Sequence, residues 1–365
     1  MLRRAALAAA AALALAGCVA RPDPVALRVL ASPELADLAP LIAELREDTG
    51  VELRLEYQDT LSATRALAGS HDYDLAWLST DRYLRLGLAG EPEGPRPQST
   101  ATMASPVVVG MTRRAAERLG DRLSWADLAD AAASGRFRFG MADPRTADSG
   151  LAAVVGVATA AAGTGRALRP EDVTCDRLSG FFSGRALSAP TSEDLAAQAP
   201  QAVGELDGVI DHEAALVALN RRLPEPLTLV YPTDGIVQSD YPLMLFDSDQ
   251  QAAYDAVVAW LRDPDVQRRI GETTARRPVT ADVAAPPGLP AATGTSLYFP
   301  DSPQVIETLL ARFTADGVRP PGHTIFALDH SDSMRGPRTE RLRAAFAELT
   351  GTADPSFVRF RVGSG

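Results

Sequence analysis

Lysine is absent from all 365 residues, so the 36 basic side chains are all arginine. A Walker-type phosphate loop needs its lysine, a pyridoxal enzyme its Schiff-base lysine and a protein kinase its strand lysine. These three chemistries are therefore excluded. Positive charge is also the scarcer sign: 36 basic against 47 acidic residues give a net charge of −11 and a pI near 5.0. That is the reverse of a phosphate-backbone footprint, and no nucleic-acid partner is expected. The two cysteines and the four histidines, His71, His212, His323 and His330, have no zinc-ligand spacing. No Gly-x-Ser-x-Gly elbow anchors a serine hydrolase. Glu193-Asp194 opens an apparent helix, where acidic residues suit the dipole, and is not read as a glycosidase pair. With no nucleophile–base arrangement visible, the chain is expected to bind rather than to catalyse.

What is present is apolar mass, 46% of residues, enough for one large or two ordinary cores. Residues 1–17 carry Arg3-Arg4 and then an Ala/Leu run, the charged and apolar regions of an export signal, too short to span a bilayer as a mature helix. The run ends Leu15-Ala16-Gly17-Cys18, which resembles a bacterial lipobox. The resemblance implies cleavage before Cys18, acylation of its thiol, a tether over 18–24, and a protein held at the outer face of the cell membrane. Cys175 then has no partner for an internal disulfide and reads as a small buried hydrophobe.

From Val25 strand and helix patterns alternate. Residues 25–31 form an apolar run, Ser32-Pro33-Glu34 opens a helix, and Leu35, Leu38, Leu41, Ile42 and Leu45 recur at helical spacing up to Gly50. A strand at 51–57, a short helix at 61–68 and a strand at 74–78 follow, implying a parallel sheet covered by helices. After a Pro/Gly-rich loop, the strand 106–111 carries the chain into a second lobe. There a capping box at Ser124–Asp127, a strand at 136–141 and an Ala/Val-rich helix at 148–163 are expected, with 227–231 as the returning strand and 251–270 as one helix. Residues 278–300, with Pro278, Pro286, Pro287 and Pro290, read as a linker. Beyond it come a helix at 302–314, a strand at 323–329, a helix at 338–349 and a strand at 357–362.

Ligands bind where parallel strands end, because helix N-termini present free N–H groups there. Ser32 with Glu34, Thr60 and Ser79 stand at successive loops of this kind. The loop Asp143–Gly150 sets Thr146 and Ser149 before a small-residue helix, suited to an anion or a carbonyl-rich ligand. Asp234, Ser239 and Tyr241 follow the returning strand and face the same crevice in this reading.

In this order the elements resemble the bilobal extracellular solute-binding proteins of bacterial uptake systems. The resemblance rests on Cys18, Val29–Glu34, Asp74–Ser79, Ala104–Gly110, Asp143–Gly150 and Tyr241-Pro242-Leu243. It implies an α/β, two-lobed, type II periplasmic-binding-like fold over 25–277, with lobe 1 at about 25–104 and 236–277 and lobe 2 at about 105–235. A small solute would sit between lobes that close over it, with Ser32, Thr60, Ser79, Ser105, Thr146, Ser149 and Asp234 as ligand-binding residues. The resemblance also raises the alternative of a component that hands its solute to an ABC-type permease.

Asp329, Ser331 and Ser333 follow the apolar strand 324–328, a spacing that turns three oxygens toward one hard cation. They resemble the Asp-x-Ser-x-Ser metal-dependent adhesion motif of von Willebrand factor type A domains. The resemblance implies Mg²⁺ or another divalent cation at these residues, a protein partner, and the incomplete start of a Rossmann-like unit over 301–365 that lacks the Thr and Asp of later loops. The N-terminal reading predicts that labelled palmitate enters the full chain in its bacterial host and fails to enter Cys18→Ser, which leaves the membrane fraction.

Overall fold

A computed structural model describes residues 24–69, 71–89, 97–173 and 175–315 of the chain. The export signal, Cys18, and the expected adhesion motif at Asp329, Ser331 and Ser333 lie outside these residues.

β1 (Val25–Ala31) buries Leu27, Val29, Leu30 and Ala31, and a 3₁₀ turn covers Pro33–Leu38. α1 (Ala39–Thr49) ends at Gly50, whose φ of 70° is the left-handed conformation in which glycine terminates helices cheaply. β2 (Val51–Tyr57), α2 (Thr60–Ala68), β3 (Leu75–Trp77), α3 (Arg82–Ala89) and β4 (Gln98–Ala101) follow. β1 runs parallel to both β2 and β3, as the alternating pattern predicts.

The chain then crosses to a second sheet. β5 (Ser105–Met111) is buried at every position, as a strand covered on both faces must be. Next come α4 (Arg113–Leu119), α5 (Trp125–Ala133), β6 (Phe139–Ala142) and α6 (Asp148–Ala162). α7 (Cys175–Ser183), β7 (Arg185–Ala189), α8 (Ser192–Ala202), β8 (Gly208–His212), α9 (Glu213–Asn220) and β9 (Thr228–Val230) continue the lobe. β10 (Gln238–Ser239) pairs with β5, and β11 (Pro242–Leu245) re-enters the first sheet between β3 and β4. α10 (Gln251–Leu261) and α11 (Pro264–Thr274) complete the first lobe. The strand orders are β2-β1-β3-β11-β4 and β10-β5-β8-β6-β7, with β9 also beside β5. The result is a two-lobed α/β body.

Three expectations are corrected. The strand at 227–231 does not return to the first lobe: β9 pairs antiparallel with β5, and β11 makes the return after Ser239. The helix expected over 251–270 breaks at Asp263-Pro264, because proline cannot continue a helix and Asp263 caps α11 through Asp265 and Val266 N–H. Nor is 278–300 a free linker. Ile236 donates to Thr295 O at 2.8 Å, Leu297 donates to Ile236 O at 2.9 Å, and Arg277 Nη1 donates to Pro290 O at 2.8 Å.

That strap leads into α12 (Pro303–Ala315), which belongs to the second lobe. Val305, Ile306, Leu309 and Phe313 are buried in the same core as Trp125, Phe139 and Phe181. Tyr83 and Leu86 of α3 pack against this core too, so the strap helix touches both lobes. The spine of the second core is α6, whose small residues admit close neighbours. A Cβ at Gly150 would come 2.3 Å from Ala142 O, and one at Gly156 would strike the Trp125 ring at 2.7 Å.

Phe313 is only 4% exposed and meets Phe182 edge-on at 5.3 Å between centroids. Phe313→Ala is expected to lower the unfolding free energy of the lobe by about 3 kcal/mol in urea titrations followed by tryptophan fluorescence. An unchanged midpoint would return α12 to a separate unit.

Candidate functional site

The carboxyl ends of the strands in both sheets converge on one polar seam. From the first lobe come Ser32 and Glu34 after β1 and Ser79 after β3; from the second come Asp148 at the start of α6 and Asp211 and His212 at the end of β8. The crossing segment Ser239-Asp240-Tyr241 runs between them. Ser32, Ser79, Asp148, Asp211, His212, Ser239 and Tyr241 are each at most 4% exposed. So many polar groups buried together require partners.

Most have them. Ser239 Oγ donates to Asp148 Oδ2 at 2.5 Å and lies 3.0 Å from His212 Nε2. Asp211 Oδ1 accepts from Ser192 Oγ at 2.7 Å and from the His212 N–H at 2.8 Å. Arg276 holds both oxygens of Asp37 at 2.8 Å, donates to the Glu34 carbonyl, and stacks over Tyr241 at 4.9 Å. Because the Ser239 hydroxyl gives its proton to Asp148, His212 is not placed as its base. Tyr241 has a φ of 41°, a left-handed conformation that a bulky residue adopts only when its surroundings enforce it. The surroundings are Trp77 Nε1 and Thr102 Oγ1, which donate to Tyr241 O at 3.2 and 2.6 Å, and the Ser79 carbonyl, which takes the Tyr241 N–H at 3.0 Å.

Among the described residues three buried polar atoms in the seam have no partner: Ser79 Oγ, Asp240 Oδ1 and Arg276 Nε. Burial raises the Asp240 carboxyl above the ordinary carboxylate range; Arg82 opposes this, while Asp81 and Asp148 add to it. Glu34 is likewise raised by burial, against the pull of His212. Burial lowers the His212 imidazole, but Asp148, Asp211 and Glu34 together more than offset this, and its pKa is raised.

A separate groove of about 590 Å³ runs between Arg221, Leu229 and Tyr231 of the second lobe, Glu272 of α11 and Pro286–Pro290 of the strap, and none of the seam residues lines it. Among the described residues no group of three or more His, Cys, Asp or Glu side chains is arranged to hold a metal ion. Nor, among them, is any helix long and apolar enough to cross a membrane.

A model of the bacterial extracellular solute-binding protein family matches residues 27–273. The chain belongs to this family. The fold agrees with that of solved structures at low sequence identity. A periplasmic thiamin binding protein is similar at 17% identity and a TM-score of 0.61, with 82% of this chain and 99% of that one covered. The periplasmic binding protein AfuA from Actinobacillus pleuropneumoniae, with exogenous fructose-6-phosphate bound, is similar at 14% and 0.59, covering 80% and 98%. The substrate binding protein of an ABC transporter from Agrobacterium tumefaciens is similar at 14% and 0.60, covering 81% and 95%. No curated protein sequence matches the chain.

Within this solute-binding protein the residues expected at the site separate into two groups. Ser32 and Ser79 meet at the seam, where Ser32 Oγ accepts the Ser79 N–H at 2.9 Å, and Ser149 reaches it through Ser192, whose Oγ lies 3.1 Å away. Thr60 is buried at the start of α2 behind the Asp59 cap. The others are structural. Ser105 Oγ accepts the Ala214 N–H at 3.1 Å and pins α9 to β5. Thr146 Oγ1 donates to Pro190 O at 2.6 Å and braces its own loop. Asp234 is exposed and accepts the Trp125 and Ala126 N–H groups, so it starts α5 rather than facing the crevice. The anion seat expected at α6 is filled by the chain's own Asp148. Asp211, His212 and Arg276 were not anticipated; an apolar strand ending Asp-His directly before a helix is the signal that finds the first two.

A raised imidazole pKa in the folded state stabilises the fold fully below the unfolded value of about 6.5, and that contribution is lost as pH rises through the folded value. The urea midpoint is therefore expected to fall from pH 6.5 upward, and His212→Gln to flatten that part of the profile. A slope that persists in the variant would assign it to another group.

Proposed function

We propose that the chain is a lipid-anchored extracellular receptor that encloses one small solute between its two lobes. The observation that carries this is the seam itself. Side chains from both lobes meet there in a buried polar layer, and Ser79 Oγ and Asp240 Oδ1 lie within it without partners. A solute that satisfies such atoms binds the closed arrangement better than the open one, and that difference draws the lobes together. The closed form then differs in shape from the open one, the signal that a partner on the membrane reads.

Thiamin is a cation and fructose-6-phosphate an anion, so likeness to the two proteins named for them leaves the solute class open. The likeness to an ABC transporter's substrate binding protein supports delivery to a permease as the second reading. On the sequence motif, Asp329, Ser331 and Ser333 would add a Mg²⁺-dependent contact with another protein.

The test is a thermal-shift screen of the full chain against small anions, sugars, amino acids, amines and short peptides. A ligand held only by the folded state adds about 3 kcal/mol at a hundredfold excess over Kd, so a true solute raises the midpoint by several degrees. Asp148→Asn is expected to remove the shift. A cooperative melt that none of these classes moves would make the body a scaffold.

A further inference from the structure

We propose that the solute is a small organic cation bearing at least one N–H donor; this rests on the solute-binding reading above. The argument is a count of charge and of hydrogen-bonding capacity in the seam. Its carboxylates are Glu34, Asp148, Asp211 and Asp240, with Asp81 beside Asp240. The cations facing them are His212, which lies against Asp148, Asp211 and Glu34, Arg82, which faces Asp240, and Arg276, which acts on Glu34 while holding Asp37. Two further cations are engaged with other carboxylates: Arg277 forks onto Glu213, and Arg85 holds Asp81. With Asp37 counted beside Arg276, five carboxylates face three cations among the described residues, and the surplus is negative.

The unpartnered carboxylate oxygen of the seam is Asp240 Oδ1, whereas the unpartnered donor, Arg276 Nε, belongs to a guanidinium already held by Asp37. Among the described residues, Asp240 Oδ1 is a buried acceptor with no donor, and no side chain donates a hydrogen bond to the Glu34 carboxylate. Ser79, fully buried with its Oγ unpartnered, is tied to the same crossing segment: the Tyr241 N–H, one residue on from Asp240, is bonded to the Ser79 carbonyl at 3.0 Å. A hydroxyl can accept from an ammonium while donating to a carboxylate, so Ser79 is compatible with such a ligand. An anion meets the opposite conditions. The N-terminus of α6, which would otherwise favour negative charge, carries Asp148 in its first turn, and Asp148 is 4% exposed. An ammonium or guanidinium-like head entering the seam supplies the missing donor and compensates carboxylates that burial alone disfavours.

The experiment loads the full chain with a bacterial metabolite extract, removes unbound compounds, releases what remains by heat and identifies it by mass spectrometry. Agmatine, spermidine, arginine and thiamine, then succinate, phosphate and glucose 6-phosphate, then glucose and maltose, are titrated in parallel by calorimetry. The expected result is a retained compound cationic at pH 7, whose affinity falls about tenfold or more in Asp240→Asn and less in Ser79→Ala. Asp240→Asn keeps the size of a side chain whose Oδ1 has no hydrogen bond to lose, so it is expected to fold. Retention of an anion or a neutral sugar, unaffected or tightened by Asp240→Asn, would overturn the cationic class and leave solute binding standing. Nothing retained and no heat with any of these probes, from a protein that melts cooperatively, would overturn both.

Discussion

The body turns on one buried guanidinium. Arg277 closes the first lobe with a two-way backbone pair to Ala104, and its Nε and Nη2 each reach a Glu213 carboxylate oxygen at 2.7 Å. Glu213 is fully buried at the first turn of α9 and also takes the Tyr231 hydroxyl, which its charge and burial raise well above the ordinary phenol range. Nη1 holds Pro290 of the strap at 2.8 Å. A buried ion pair stabilises little beyond its own desolvation cost unless every donor is engaged, and here the fork geometry of arginine engages them. In a chain without lysine the same side chain fixes where one lobe ends, where the other begins and where the strap departs.

Around that hinge the two lobes divide labour by polarity. Each sheet buries apolar strand interiors in its own core, while the residues just beyond the strand ends are polar and buried together. The seam is thus costly to form dry, and it is held by enforced geometry: Tyr241 in a left-handed conformation, Arg276 stacked upon it, and Trp77 and Thr102 fastening its carbonyl. A site whose polar groups are positioned by cores on either side recognises chemistry without building loops for it.

The first sheet was legible in the sequence because its periodicity is local: Val25–Ala31 and Val51–Tyr57 are strands bounded by turn residues. The second lobe was less so. β9 is only three residues long, and what decides its sheet is pairing with β5, a contact between distant segments. The strap misled for a physical reason: proline-rich composition signals stiffness and solvent exposure, yet Leu297, Phe299 and the face of α12 are covered by a core that lies elsewhere in the chain. Of the hydroxyls and carboxylates expected before helices, Ser32 and Ser79 lie in the polar seam, whereas Ser105, Thr146 and Asp234 serve backbone N–H and carbonyl groups. Strand-end Asp211 and His212 are marked locally only by an apolar strand that ends Asp-His before a helix; their partners Ser192, Asp148 and Ser239 come from distant segments.

The strap also changes the arithmetic of the chain path. Two crossings, at 102–104 and 239–241, would bring both ends of the body back to one lobe, but the third, from Arg277 to the strand-like pairing at Ile236 and Ser296, delivers α12 to the other. The parity is odd. Residue 24 therefore rides on one lobe and residue 315 on the other, and any change in the angle between lobes becomes a change in the distance between two points of attachment. The body works as a lever whose two arms carry residues 24 and 315.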